Sequence, residues 1–372
     1  MHGAFGELFI QLDFWVAVQV VVLGFIGGIL SGFIGSGGAF FMTPGMMNLG
    51  VNGVVAVASN ITHKFGKAMM GSRKHGEMGN VDRKLGVFLV LTSFAGIRLA
   101  VWINSRLFEG AGDGHGPSGS AAADLYISAV FVSVLTLVAI SMLRDALRTG
   151  SGPGGAGPSR NISKFLGRMR LYPFIHFPVA DVKVSLWILL LVGLATGYLA
   201  GTIGVGGFIG VPAMIYVFGV PTTVAAGTEL FLAMFMGAFG ALNYAYAGYV
   251  DLRLTLLLYL GSLLGLYLGV YGTKVVREVM IRIVTGGIIL LCVASRGIAI
   301  PMYLRQLGWV DMDPAWDPFF NGASKLLLFA SGLSGAGVIL FHVLRAYRQR
   351  SRVRASLTAA GAPVYGTVGT VS

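Results

Sequence analysis

Long apolar segments separated by short charged loops constrain this chain more than any other feature. A helix needs about 20 consecutive apolar residues to cross a bilayer, and segments of that length recur from one end of the chain to the other. The charged fraction is 11%. We therefore predict an all-α fold, a polytopic transmembrane helical bundle embedded in a lipid bilayer. The predicted segments are Phe14–Leu49, Val51–Gly71, Leu85–Ile103, Leu125–Leu143, Leu186–Gly219, Thr223–Ala247, Leu252–Gly272, Ile281–Ile300 and Phe320–Leu344.

These segments divide the chain into five parts. We predict a first transmembrane repeat (1–147), a basic cytoplasmic linker (148–183), a second transmembrane repeat (184–304), an outer loop with an extra C-terminal span (305–347), and a basic cytoplasmic tail (348–372). The linker residues 161–178 mix basic and aromatic side chains, which fits an interfacial helix lying on the membrane, although an irregular basic loop is an equal alternative. The tail after Tyr347 is expected to be disordered.

An internal repeat underlies the two transmembrane parts. A shift of 169 residues aligns Gly24–Leu99 with Gly193–Leu268 without a gap. The glycine run GFIGSGG, which starts at Gly32, then matches GTIGVGG, which starts at Gly201. Farther along, GNVD matches GYVD. Two related halves are a usual construction of secondary transporters.

Basic residues predict the orientation in the membrane. Short loops rich in Lys and Arg stay on the cytoplasmic side, next to an anionic leaflet. The N-terminal segment before Phe14 holds acidic residues but no Lys or Arg, and is predicted to lie outside. The protein would then be a multi-pass protein of a bacterial inner membrane. The basic clusters, all assigned to the cytoplasmic side, are Arg73/Lys74/Arg83/Lys84, Arg144 to Arg170 in the linker, Lys274/Arg277/Arg282 and Arg345 to Arg354.

A count of crossings predicts the path of the two segments that the glycine runs interrupt, Phe14–Leu49 and Leu186–Gly219. We call these the glycine-broken segments. The linker and the loop at Lys274 are both assigned to the cytoplasm, and two ordinary spans plus one broken segment lie between them. Two spans return the chain to the side it left, so the broken segment must also begin and end on one side. We therefore predict a re-entrant hairpin plus three spans in each half, and the odd number of spans makes the two repeats inverted. The alternative is a single crossing for each broken segment.

The glycine clusters are the first candidate binding residues. Close helix packing explains isolated small residues, but adjacent glycines break a helix, and a proline follows each cluster, at Pro44 and Pro212. Irregular backbone at membrane depth is tolerated where it is buried in protein or lines a wet cavity. Free N–H groups there suit an anion. The candidates are Gly35, Ser36, Gly37, Gly38, Gly204, Gly206 and Gly207.

The next span of each half carries the second group of candidates. Ionisable side chains inside a span are costly, so they are functional candidates. Glu229 stands at the repeat position of Asn60, is the acidic residue deepest in an apolar segment, and is the candidate coupling residue. Lys67 is closer to the cytoplasmic end and can instead extend to the interface. Asp82 and Asp251 are expected to cap the helices that follow them. The remaining substrate-binding candidates are Asn60, Thr62, His63, Lys64 and Thr228.

Other classes of function find less support. The net charge of +12 is concentrated in loops between apolar segments, which argues against nucleic-acid binding. The glycines are not followed by Lys-Ser/Thr, and no βαβ pattern surrounds them, so we predict no nucleotide and no cofactor. Cys292 is the single cysteine and no His-Glu-x-x-His occurs, so we predict no metal site and no catalytic residue.

The repeated Gly-x-Gly-Gly segment, its downstream proline, the polar second span and the Gly-x-Val-Asp turn resemble the sulfite exporter TauE/SafE family, also called the toluene sulfonate uptake permeases. The resemblance covers roughly 14–103 and 186–300. It implies transport of a small anion, such as sulfite or an organosulfonate, across the inner membrane. The long linker, the extra final span and the His63-Lys64 pair depart from the family pattern. A channel-like facilitator and a membrane-embedded enzyme using His63, His75 or Asp82 are the alternatives.

Overall fold

The structure is a computed structural model that describes residues 9–34, 38–109, 117–149, 171–204, 206–273, 276 and 278–359. Among these residues, the first half contains five helices: α1 (Phe14–Ile34), α2 (Ala39–Asn48), α3 (Gly53–Glu77), α4 (Arg83–Glu109) and α5 (Pro117–Thr149). Each lies on a predicted apolar segment, and the glycine cluster separates α1 from α2. The prediction of a polytopic helical bundle is confirmed.

The second half repeats this order of helices. It contains α6 (Leu186–Ile203), α7 (Gly207–Pro212) with a π-helical continuation (Ala213–Phe218), α8 (Thr222–Tyr246), α9 (Leu252–Thr273) and α10 (Glu278–Gln306). A 3₁₀ turn (Pro314–Trp316) then leads into the last described helix, α11 (Asp317–Ala359), which has no counterpart among the described helices of the first half.

Within the described ranges, eight helices are long and apolar enough to cross a membrane. They are α1, α4, α5, α6, α8, α9, α10 and α11. The polar helix α3 is not among them, because it carries Lys64, Lys67 and a basic C-terminal turn. Its middle is nevertheless buried among other helices, with Asn60 fully inaccessible. The polar residues in the middle of α3 therefore face protein, where a buried polar group needs a partner or a ligand.

Helix α2 folds back along α1. A Cβ on Gly27 would lie 2.6 Å from Cε of Met42, and a Cβ on Gly45 would lie 3.0 Å from Cγ of Leu23, so positions later in α2 meet positions earlier in α1. After α2, the chain is again close to the start of α1, because a Cβ on Gly50 would lie 3.8 Å from Cδ1 of Ile10.

Glycines hold the first helix of each half against the fourth helix of the other half. A Cβ on Gly24 would lie 2.7 Å from the Leu258 carbonyl oxygen, and a Cβ on Gly28 would lie 2.7 Å from Cα of Ser262, so α1 and α9 run parallel at backbone contact. The repeat mate of Gly28 is Gly197, where a Cβ would lie 2.5 Å from Cα of Ser93 on α4. Equivalent glycines therefore permit equivalent close packing in the two halves.

The second spans of the two halves, α3 and α8, pack antiparallel across the middle of the bundle. Gly237 on α8 contacts Phe65, whose Cα would lie 2.9 Å from an added Cβ, whereas the earlier Leu230 faces the later Gly71. The last spans of the halves, α5 and α10, also pack on each other, and α11 covers α10. Equivalent helices therefore meet in the centre, with the polar face of α3 enclosed.

Two peripheral predictions need correction. Residues Phe174–Phe177 and Val182–Ser185 form an antiparallel β-hairpin, not the end of the interfacial helix. Residues 150–170, which carry most of that prediction, lie outside the described residues. The tail is not disordered from Tyr347, because α11 continues to Ala359. No proline or glycine interrupts the chain between Tyr347 and Ala359, so the helix has no early stop signal.

Candidate functional site

The glycine break of the second half forms one wall of the candidate site. Gly204 ends α6 with φ +75°, a left-handed conformation that glycine adopts without strain. A Cβ there would lie 3.0 Å from Nδ2 of Asn60 and 3.1 Å from Oγ1 of Thr43. The first half therefore approaches the broken backbone of the second half closely.

A hydrogen-bond network fixes this contact between the halves. Nδ2 of Asn60 donates to the Ala39 carbonyl at 3.0 Å and to Oγ1 of Thr43 at 2.7 Å. The Thr43 hydroxyl donates in turn to the Ile203 carbonyl at 3.1 Å, at the end of α6. The network joins α3, α2 and α6 within a buried layer, so Asn60 holds the short helix α2 against the break.

Charged groups lie one turn farther along α3. Nζ of Lys64 is 3.9 Å from Oε1 of Glu229 on α8, and the two side chains are 13% and 3% exposed. A Cβ on Gly206 would lie 3.4 Å from Nζ of Lys64. The Glu229 carboxylate itself lies against the backbone of α7 at Gly210, where an added Cβ would collide with it. This ion pair therefore borders the same glycine break as Asn60.

The structure separates the remaining candidates into different places. The Thr62 hydroxyl donates to the Ala58 carbonyl of its own helix at 2.7 Å. Nε2 of His63 is 2.7 Å from Oγ of Ser262 on α9, so His63 faces away from Glu229. Gly38 precedes α2, and Gly207 begins α7; both are buried. Gly35, Ser36 and Gly37 lie outside the described residues.

Thr228 binds the Gly-x-Val-Asp turn instead of the break. Its hydroxyl accepts a hydrogen bond from the Asp82 backbone N–H at 3.0 Å. The Asp82 carboxylate caps α4 at Leu85 N–H, 3.0 Å away, and accepts at its other oxygen from Val179 and Ala180 N–H of the linker hairpin, at 3.1 and 3.0 Å. The capping role predicted for Asp82 is confirmed, and Asp251 likewise accepts from Arg253 N–H at 2.9 Å.

Sequence reasoning missed three residues of this region. Thr43 and Gly210 lie in the short helices after the breaks, and Ser31 on α1 accepts a hydrogen bond from Nζ of Lys67 at 2.9 Å. Thr43 is a hydroxyl residue in the apolar run AFFMTPGMM, and that signal could have identified it. Gly210 gave a weaker signal, because its repeat mate is Phe41 and a single glycine is common in membrane helices. Lys67 contacts α1 rather than extending to the interface.

Comparison with known proteins agrees with this arrangement of helices. The sulfite exporter TauE/SafE family matches residues 20–296, which run from α1 to within α10 and contain every residue of the candidate site. The chain is 27% identical over 257 residues to the probable membrane transporter protein YjnA of Bacillus subtilis (strain 168), covering 68% of this chain and 89% of that protein.

A second relative, the probable membrane transporter protein YunE of the same organism, is 24% identical over 261 residues, which are 68% of this chain and 86% of that protein. No solved structure matches the chain significantly. The match extends over most of the chain and leaves α11 outside. This membrane protein therefore belongs to the sulfite exporter TauE/SafE family of transporters.

Proposed function

We propose that this chain is a secondary transporter that moves a small anion, such as sulfite, an organosulfonate or a similar oxyanion, across the inner membrane. The observation that carries the proposal is the buried Lys64–Glu229 pair beside the glycine break, between the two halves. A lysine inside a helical bundle is costly unless its charge is used, and an anion is its natural partner. The relatives are named as membrane transporters, which supports the class of function.

Glu229 gives this site a means of coupling. Its carboxylate competes with an incoming anion for the same ammonium group, because Lys64 is its ion-pair partner. Two anions sharing one buried cation repel each other, and a proton or another cation taken up by Glu229 removes the repulsion. We propose that anion and coupling ion therefore move together. The backbone N–H groups at Gly38, Gly206 and Gly207 would add contacts to the anion.

We also propose that the two halves are inverted and that each glycine-broken segment is a re-entrant hairpin. Three features support this. Helices α3 and α8 pack antiparallel although they occupy equivalent positions in the repeat. Helix α2 returns toward the start of α1. Residues 9–11 line a surface cavity with residues 250–253, which connect α8 to α9 and lie on the outer side in the count of crossings. Exchange between two equivalent arrangements of such halves would expose the site to each side in turn.

Single cysteines test this topology. In a background with Cys292→Ser, a cysteine at Gly3 should react with a membrane-impermeant maleimide from outside, and a cysteine at Arg350 should react only after the membrane is opened. Cys292 is buried, so its loss removes background labelling without affecting the surface. Labelling of both positions from the same side of intact cells would contradict the hairpin assignment.

Flux into proteoliposomes tests the function. The wild-type protein should accumulate a labelled sulfur oxyanion or organosulfonate when an inward proton gradient is imposed. Glu229→Gln should reduce the gradient-driven part of uptake to passive equilibration, because the variant carries no carboxylate to protonate. Glu77→Gln is the matched control, since Glu77 is 67% exposed and pairs with Arg73 on the surface.

The outcome also separates the alternatives. A channel-like facilitator would equilibrate the anion at the same rate with and without the gradient, and Glu229→Gln would leave that rate unchanged. An enzyme would consume the anion in detergent without any compartment. Either result would replace the coupled carrier proposed here.

A further inference from the structure

The neutral side-chain donors at the glycine break, the Asn60 amide and the Thr43 hydroxyl, are already used within the protein. Both hydrogens of the Asn60 amide are committed, one to the Ala39 carbonyl and one to Thr43. The carbonyl of Ala39 can only accept, so the nitrogen of the Asn60 amide must point toward it, and the orientation of the amide is fixed. The Thr43 hydroxyl hydrogen is committed to Ile203.

The side-chain hydrogen-bond acceptors of Asn60 and Glu229 are not used within the described chain. Among the residues that the structure describes, Oδ1 of Asn60 and both carboxylate oxygens of Glu229 are buried and have no hydrogen-bond partner. The ammonium group of Lys64 is 3.9 Å from the nearer Glu229 oxygen, which is an ion-pair distance and too long for a hydrogen bond. Leaving a buried acceptor unpaired costs free energy, so each of these oxygens favours a ligand that donates a hydrogen bond.

We propose that this site selects anions that also carry a hydroxyl-type hydrogen-bond donor over anions of similar size without one. The inference rests on the proposed function and specifies its substrate class. Asn60 and Lys64 stand four residues apart on α3, so their Cβ atoms are about 6 Å apart on one face of the helix. A ligand whose hydroxyl lies two or three bonds from its anionic group can place the anion at Lys64 and the hydroxyl at Oδ1 of Asn60.

A proton on Glu229 does not by itself pair all of these acceptors. Protonation of Glu229 supplies a donor within the carboxyl group, but it leaves Oδ1 of Asn60 unpaired. An ammonium donor on the ligand would be repelled by the ammonium group of Lys64, which is already the ion-pair partner of Glu229. A neutral hydroxyl group fits both Asn60 and Lys64.

Matched ligand pairs test this inference by isothermal titration calorimetry on the full chain in detergent. The first pair is ethanesulfonate and 2-hydroxyethanesulfonate, and the second is acetate and glycolate. In each pair that binds, we expect the anion with the hydroxyl to bind about tenfold or more tightly than the anion without it. This is the effect of pairing one ligand hydroxyl with an otherwise unpaired buried acceptor. The preference should persist at a mildly acidic and a mildly alkaline pH.

Two variants locate the effect. Asn60→Leu should remove the preference, whereas Thr62→Val should keep it, because the Thr62 hydroxyl is bonded to its own helix. If Asn60→Leu does not fold, binding of the matched ligand pairs to the wild-type protein at the two pH values still tests the inference. Equal binding within each pair overturns the inference and leaves the proposed function standing. A preference that vanishes at acidic pH also overturns it, because the proton on Glu229 then supplies the donor. If none of the four anions binds, this inference is overturned, and the uptake of labelled sulfite into proteoliposomes decides the proposed function separately.

Discussion

Replacing Lys64 with methionine should reduce anion transport in proteoliposomes by about tenfold to a hundredfold, because the charged contact to the anion is missing. Methionine preserves the length of the side chain and removes the ammonium group that we assign to the anion. It also leaves Glu229, which is 3% exposed, without its counter-charge. Removing one partner of a buried ion pair typically costs about 3–5 kcal/mol, so the variant should also unfold at a lower temperature.

Two further variants separate transport from stability. Lys64→Met combined with Glu229→Gln removes both charges, so the thermal stability should recover while transport stays lost. Lys67→Met is the matched control, because Lys67 is one turn away and binds Ser31 on α1 rather than Glu229. Equal loss of transport in Lys64→Met and Lys67→Met would show that overall positive charge matters and that the position of Lys64 does not.

Local features of the sequence predicted much of the site. The glycine cluster at Gly204 predicted broken backbone, and Asn60 and Lys64 are four residues apart, which puts them on one face of a helix. The sequence does not predict which residue of one half contacts which residue of the other. Thr43 meets Ile203 because α2 packs against the end of α6, a contact between residues 160 positions apart that no local pattern contains.

The same reason explains the errors in the periphery. The hairpin at 174–185 consists of two four-residue strands, which are too short to give a clear alternating pattern. Its position is fixed from outside, by the Asp82 carboxylate and by Nζ of Lys84, which donates to the His176 carbonyl at 2.9 Å. Adjacency in the sequence places His63 beside Lys64, but adjacent residues on a helix point about 100° apart.

The repeat also shows how duplication can produce an asymmetric site. Asn60 and Glu229 occupy equivalent positions, and each contacts the short helix of its own half, at Ala39 and at Gly210. The amide donates two hydrogen bonds and becomes a fixed structural element, whereas the carboxylate can donate none and, among the described residues, accepts no hydrogen bond. A single divergent position therefore gives one half the anchor and the other half the titratable group.

The close packing of α1 on α9 leads to the second large effect, on stability. Gly28→Leu should prevent recovery of folded, monodisperse protein, because even a Cβ at this position would lie 2.7 Å from Cα of Ser262 and 2.9 Å from its carbonyl carbon. Backbone atoms cannot move aside as a flexible side chain can, so α1 must separate from α9 along its length. Gly28→Ala should fold with a lower melting temperature, since overpacking typically costs about 1–3 kcal/mol.

Gly287→Leu provides the control for this experiment. It adds the same side chain to a membrane helix, but a Cβ at Gly287 meets no described atom within 4 Å. The yield of folded, monodisperse protein from the two leucine variants in one detergent then compares added volume at a packed and an open position. Gly197→Leu, at the repeat mate of Gly28, should behave like Gly28→Leu because a Cβ there would lie 2.5 Å from Cα of Ser93. If all three leucine variants fold and unfold at the same temperature, the two glycine-lined interfaces do not hold the halves together. The packing of α1 on α9 and of α6 on α4 would then contribute nothing measurable to stability.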